Sequence, residues 1–144
     1  MVEGFGRWRR RASYDHPHLD LPMEPMEKVS LTSKFAAFSD HWSPKTVGEL
    51  NGQHVKLVKF VGEFVWHHHD AEDEMFLVHR GQFRMELRDR TIDLRAGDFL
   101  IVPRGVEHRP VADAEVEVML FEPAGTLNTG NVRGERTVAE PARL

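Results

Sequence analysis

The chain contains no cysteine. Disulfides, thiolate metal ligands and cysteine nucleophiles are therefore excluded. The absence fits a reducing compartment, and a cytoplasmic location is expected. Long apolar runs are also missing. Nothing approaches the ~20 residues of a membrane-spanning helix. The arginines near the N-terminus are not followed by the apolar stretch of a signal peptide. Charge of one sign is lacking too: 19 Lys and Arg face 23 Asp and Glu, a formal net charge of −4. That balance gives no pull toward nucleic acid or an anionic membrane, and neither partner is expected. There is no Gly-rich phosphate loop, no Ser-centred nucleophile elbow, no zinc-finger spacing and no βαβ rhythm.

The 144 residues, 40% of them hydrophobic, suit one domain with one core. Residues 1–27 stand apart. Arg7, Arg9, Arg10 and Arg11 sit beside Pro17, Pro22 and Pro25 without a sustained period. A flexible, solvated tail is expected there, or a true start at Met23 or Met26. His16 and His18 form an H-x-H pair but have no acid-and-histidine partner downstream, so they are discounted as ligands.

Residues 28–144 form the expected domain. Leu31, Phe35 and Phe38 share a helical spacing, which predicts one or two turns of helix in a short N-terminal helical or extended segment. Strand patterns follow. Thr46 to Leu50 runs into Asn51-Gly52, a hairpin signal, and Gln53 to Phe60 is the returning strand. Phe64 to His69 is read as a strand, then Met75 to Arg80, then the alternation of Phe83, Met85 and Leu87. Thr91 to Leu94, Phe99 to Val102, and the alternation of Val116, Val118 and Leu120 complete the set. Many short strands with Gly and Pro turns indicate an all-β sandwich or small antiparallel β-barrel. Phe76, Val78, Met85, Leu87, Phe99, Ile101, Val118 and Leu120 are the core candidates. Residues from Glu122 onward are expected to wrap the surface.

The chemistry is concentrated in His67-His68-His69-Asp70-Ala71-Glu72-Asp73-Glu74. On a strand, His67 and His69 share a face and His68 points away. A turn over residues 70–73 would bring Glu74 back beside the two imidazoles, and three such groups make most of a metal site. By the same parity Phe64 and Trp66 should occupy the face opposite His67.

At these residues the chain resembles the cupin superfamily. The first cupin motif, G-x(4–5)-H-x-H-x(3–4)-E-x(6)-G, is filled by Gly62, His67, His69, Glu74 and Gly81. The second, G-x(5)-P-x-G-x(2)-H-x(3)-N, is filled by Gly97, Pro103, Gly105 and His108, with Ala112 in place of the terminal Asn. The likeness covers about residues 45–123 and is nearest to small single-domain bacterial cupins of the mannose-6-phosphate isomerase-like type, a label that denotes similarity and not activity. It implies an antiparallel β-barrel or jelly roll in which His67, His69, Glu74 and His108 bind one divalent metal, and a homodimer; because a barrel this small leaves edges to cover, residues 28–50 are expected to be an exchanged or docking element.

Three imidazoles and a carboxylate suit Fe, Mn, Co, Ni or Zn better than Mg or Ca. The expected function is that of a metal-dependent cupin acting on a small molecule. Two enzyme routes fit: a dioxygenase, or an isomerase or lyase in which the metal polarises a carbonyl. The second needs a base within reach, and no residue can be assigned to it from the sequence, so no catalytic residue is named. A non-catalytic module binding a sugar or carboxylate is the alternative. Lys56, Lys59, His54 and His79 are candidates for contacts behind the ligands or to substrate. Strand parity places either Lys56 or Lys59 inside. Glu107 adjoins a ligand but should point away from it.

Overall fold

The computed structural model describes residues 26–144. All but the last two residues of the expected tail, with its arginines and His16 and His18, therefore lie outside the described residues. A short helix α1 (Leu31–Ala36) precedes eight strands: β1 (Lys45–Leu50), β2 (Gln53–Glu63), β3 (Glu74–Arg80), β4 (Gln82–Leu87), β5 (Thr91–Arg95), β6 (Phe99–Val102), β7 (His108–Pro123) and β8 (Ala142–Arg143). Ser30 caps α1 by accepting from the backbone N–H of Ser33, and the helix buries Phe35 against the His79 ring at 5.0 Å. The β1–β2 turn is the expected one: Asn51 and Gly52 both have positive φ, 51° and 76°.

The strands lie in the order β5-β4-β7-β2-β1-β8, with β3 paired to both β6 and β7. Every pairing is antiparallel except the short one between β1 and β8. The long strand β7 organises the rest. Its first part, His108 to Val111, pairs with β4 on one side. Its second part, Glu117 to Phe121, pairs with β3 on the same side while β2 runs along the other. The exposed Asp113, Ala114 and Glu115 mark the change. One continuous sheet thereby encloses a single core of Val58, Phe60, Phe76, Val78, Phe83, Met85, Leu94, Val102, Ala112, Val116, Val118 and Leu120. The fold is the all-β, barrel-like architecture expected.

Four expectations are corrected. Phe99 and Ile101 are not core residues: they are 61% and 54% exposed on the outer face of β6, which sends Val102 inward instead. Their short apolar strand has no polar alternation to reveal which face is wet. Leu87 only borders the core. Residues 64–69 form no regular strand; Gly62, at φ 85°, sits at a register shift near the end of β2, the strand stops at Glu63, and a single bridge between His67 and His108 remains. Finally, β7 does not stop at Phe121. Glu122 lies within it and is buried.

The β3–β4 turn pivots on Gly81, at φ 88°, where an added Cβ would stand 3.1 Å from the Glu115 carbonyl oxygen. Gly81→Ala combines a left-handed backbone with this close approach and should cost about 1–2 kcal/mol. Thermal unfolding should show Tm lowered by roughly 3–8 °C without loss of the β-sheet circular dichroism signal.

Candidate metal centre

The two motif segments meet through their backbones. After Glu63 the chain runs antiparallel beside the start of β7: the Phe64 N–H donates to the Pro110 carbonyl at 3.0 Å. His67 and His108 then exchange both backbone hydrogen bonds, at 3.1 and 2.9 Å. His69 is fixed by its carbonyl, which accepts from the Gly105 N–H at 2.7 Å within the Pro103–Gly105 bend. Glu74 opens β3 opposite Val102. Next to it, the Asp73 carboxylate accepts from the backbone and the guanidinium of Arg104, which ties the loop before Glu74 to the bend before His108.

His67, His69, Glu74 and His108 are thus brought together, all four buried, with one potential ligand atom of each within 4.8 Å of the others. Two of the rings have a determined tautomer. The Nδ1 of His67 lies 2.9 Å from the Val65 carbonyl and that of His108 lies 2.8 Å from the Val106 carbonyl. A carbonyl can only accept, so each Nδ1 carries the proton and each Nε2 keeps its lone pair free. The Nε2 atoms of His69 and His108 and Oε1 of Glu74 are buried with no hydrogen-bond partner. Glu74 Oε1 stands 3.5 Å from the first and 3.6 Å from the second. Two donors bound to one ion at about 2.1 Å stand about 3.0 Å apart at a right angle and about 3.4 Å at the tetrahedral angle. These two separations therefore need little adjustment to close on a single ion. Buried polar atoms are seldom left unpaired, and a cation is what this set would satisfy.

The electrostatics agree. Burial, then the neighbouring His108, pushes the His67 imidazole down to about 4, so the ring is neutral at pH 7. Burial opposes ionisation of Glu74, but a hydrogen bond with Glu122 and contacts from His108 and His69 outweigh it and hold the carboxyl well below its ordinary range. Glu122 goes the other way. Burial and the adjacent Glu74 charge raise it well above its ordinary range, with Lys56 opposing. The Lys56 Nζ donates to Glu122 Oε1 at 2.8 Å and to the Thr126 carbonyl at 3.3 Å. Lys56 and Glu122 therefore form a buried pair behind Glu74 and the other ligand candidates.

Of the two lysines weighed by parity, Lys56 faces inward, 2% exposed, and Lys59 faces outward, where the Phe38 carbonyl at the end of α1 takes its proton donor at 2.8 Å. His54 pairs with Glu49 at 3.3 Å and His79 lies under Phe35; neither reaches the site. Glu107 is exposed and paired with Arg88. His68 points away, toward Asp70. The expectation for Phe64 fails with the strand that supported it. Its ring meets His67 edge-on at 5.3 Å, while Trp66 alone lies outside, under the guanidinium of Arg88.

A narrow cavity of about 40 Å³ opens beside His67 and Glu74, walled by Trp42, Phe60, Phe64, Phe76, Leu120 and Asn128 among others. A larger depression, about 290 Å³, lies among Arg84, Arg95 and Asp113 and contains none of the four ligand candidates.

Sequence reasoning missed Glu122, Trp42 and Gly130. Glu122 was legible, because it continues the inward parity of Val116, Val118 and Leu120. Trp42 and Gly130 carry no such signal. Gly130, at φ 54°, passes so close to the ligand segment that an added Cβ would fall 2.2 Å from the His68 carbonyl oxygen and 3.2 Å from the His67 ring.

The geometry has counterparts in other proteins. The cupin-domain family model matches residues 56–122, which include all four ligand candidates. A cupin-2 domain containing protein from Shewanella frigidimarina is 44% identical, over 66% of this chain and 93% of that one, with a TM-score of 0.65. A Neisseria meningitidis protein of known structure is 27% identical over 68% of this chain and all of that one, with a TM-score of 0.63. The Bacillus subtilis protein YdbB is 40% identical over 65 residues, which are 44% of this chain and 58% of that protein. With its barrel-like fold, both motifs in place and a relative matched over nearly its whole length, the chain belongs to the cupin family.

Gly130→Ala should displace His67 and lower metal affinity by tenfold or more, while Gly134→Ala, with nothing near its Cβ, should not; metal titration of the two variants distinguishes them. A pH dependence also follows for the metal-free protein. The folded-state value of His67 is lowered from 6.5 to about 4, so the unfolded chain takes up a proton first as the pH falls. The stability it contributes is complete above about pH 6.5 and is lost toward pH 4, a difference of about 3 kcal/mol. Urea unfolding at pH 7 and pH 4 should show the gap between the wild type and His67→Gln shrinking by that amount.

Proposed function

We propose that His67, His69, Glu74 and His108 hold one divalent transition metal, Fe, Mn, Co, Ni or Zn, and that the protein acts on a small molecule as a metal-dependent oxidoreductase of the dioxygenase type or as an isomerase or lyase. The observation that carries this reading is the convergence of buried, unpartnered donors: His69 Nε2, His108 Nε2 and Glu74 Oε1. A bound ion of this kind supplies Lewis acidity or redox chemistry, and one with octahedral preference keeps two positions beyond the four protein ligands. The chain's own residues do the rest. The Val65 and Val106 carbonyls fix two imidazoles, Lys56 anchors Glu122 beside Glu74, and aromatic rings wall the cavity.

Proton abstraction has less support than oxygen chemistry. Of the cavity's polar side chains, His67 and Glu74 are ligands and the third is the amide of Asn128, which is no base. The alternative, a non-catalytic module for binding or sensing a small ligand, is favoured by one observation, the narrowness of the cavity.

We further propose that residues 28–144 act as one domain and that a second copy of the chain is the protein partner. Phe99 and Ile101 of β6, Leu77 and Met75 of β3, and Met119 and Phe121 of β7 stand opposite one another in register. Together they form an apolar outer face across three strands, broad enough to be covered.

Metal content by mass spectrometry, on protein made without a histidine tag, should be about one ion per chain and should be lost in Glu74→Ala and His108→Ala. A wild type that takes up none of Fe, Mn, Co, Ni or Zn would remove the proposal. Sedimentation equilibrium should show a dimer for the wild type and a monomer for Phe99→Arg combined with Ile101→Glu.

A further inference from the structure

The cavity beside the ligand candidates has an unusual inventory. Four of its walls are aromatic rings, Trp42, Phe60, Phe64 and Phe76, and among the described residues no lysine or arginine lines it. The nearest cations are committed elsewhere. Lys56 is buried against Glu122 and the Thr126 carbonyl. Arg136 lies over the Trp42 and Phe64 rings and donates to the Glu63 carbonyl. Asn128, a polar wall that is not a ligand candidate, has both ends of its amide occupied: Nδ2 donates to the Arg136 carbonyl and Oδ1 accepts from the Val138 N–H. A phosphate would find no donor here, and the hydroxyls of a sugar would be stripped of water without replacement partners.

Trp42 is the wall that differs from the others. Its indole stacks on Phe60 at 4.5 Å with 13° between planes, and on Phe64 at 4.6 Å with 16°. It belongs neither to a strand nor to α1 but to the connection between α1 and β1, and it is only half-buried. Its backbone has φ 58°, a conformation that a bulky side chain rarely adopts. Two hydrogen bonds hold it, from its backbone N–H to the Lys59 carbonyl and from its indole N–H to the Val61 carbonyl. With the indole in place, about 40 Å³ remains. At about 10–15 Å³ for each water-sized sphere, that is room for a few waters and not for a six-membered ring. Of the four aromatic walls, Phe60, Phe64 and Phe76 are buried and Trp42 alone is partly exposed, so Trp42 is the ring with room to yield.

We propose that the ligand is a small, flat molecule without charge beyond its metal-binding oxygens, of the phenol or diketone class, and that it lies against Phe60 and Phe64 in the position the Trp42 indole occupies in the closed state. Trp42 is then the residue that sets which molecules enter. The inference rests on the metal-dependent reading above and deepens it. The slot is flat and apolar because aromatic side chains form it, and the ligand's oxygens face its polar end, at His67 and Glu74.

The test uses the full chain loaded with one equivalent of Mn(II), with 4-nitrocatechol as probe and metal retention measured after ultrafiltration. Trp42→Gly removes the ring and also suits the positive φ, so that variant should fold; Trp42→Phe is intermediate, and Trp66→Phe controls for the outer indole. We expect one 4-nitrocatechol per chain with a shifted absorption band. Affinity should rise about fivefold in Trp42→Gly, the effect of losing one competing stacked ring, with Trp42→Phe between and Trp66→Phe unchanged. Glucose 6-phosphate in excess should not displace the probe. Retained metal without probe binding, equal or weaker binding by Trp42→Gly, or displacement by glucose 6-phosphate overturns this inference and leaves the metal site standing. Failure to retain metal overturns the metal-dependent reading and this inference with it.

Discussion

The structure depends on one short pairing, the reciprocal backbone hydrogen bonds between His67 and His108. They join the segment that leaves β2 to the first residue of β7, and so set the register of both motif halves. Neighbouring bonds reinforce the pairing: Phe64 N–H to Pro110, Gly105 N–H to His69, and Arg104 onto Asp73. Four side chains from three places in the chain converge because these backbone contacts leave them no other direction. A register slip of one residue would send His68 inward and both ligand candidates out.

Behind the ligand set lies a row of charges that makes sense only as a unit. Lys56, Glu122 and Glu74 are each almost wholly enclosed. A single buried charge costs several kcal/mol, and an enclosed pair is tolerable only when each partner is present. Lys56 and Glu122 satisfy one another, and Glu122 in turn lies against Glu74. The arrangement keeps one carboxylate ionised beside three imidazoles. It also removes the inward lysine from any role in binding an anion, which bears directly on the kind of molecule the cavity could hold.

The two faces of the β3–β7–β2 sheet serve different ends. Inward residues build the core and, at one end, the aromatic cavity. Outward residues are covered by α1 near Lys59 and His79 and are bare and apolar near Phe99 and Ile101. The same alternation that buries Val118 and Leu120 exposes Met119 and Phe121 partly to solvent. An outer face of this kind is better suited to another protein surface than to water.

Most of the strands, the Asn51-Gly52 turn, the helix at Leu31 and the four ligand candidates were legible in the sequence, because each rests on local order: period two, turn chemistry, helical spacing, or a fixed spacing of histidine, glutamate and glycine; the first half of β7 and the short β8 were not. Glu122 was legible by parity and was passed over for its charge. What the sequence could not yield has a common cause. The inward turn of Val102 at the expense of Ile101, the placing of Phe64 against His67, the approach of Gly130 to the ligand segment and the seat of Trp42 in the cavity all follow from contacts between residues distant in the chain. Local patterns determine which residues alternate and where the backbone bends. Only the closed fold decides which of two apolar faces is covered, and what stands in the space beside the ligand candidates.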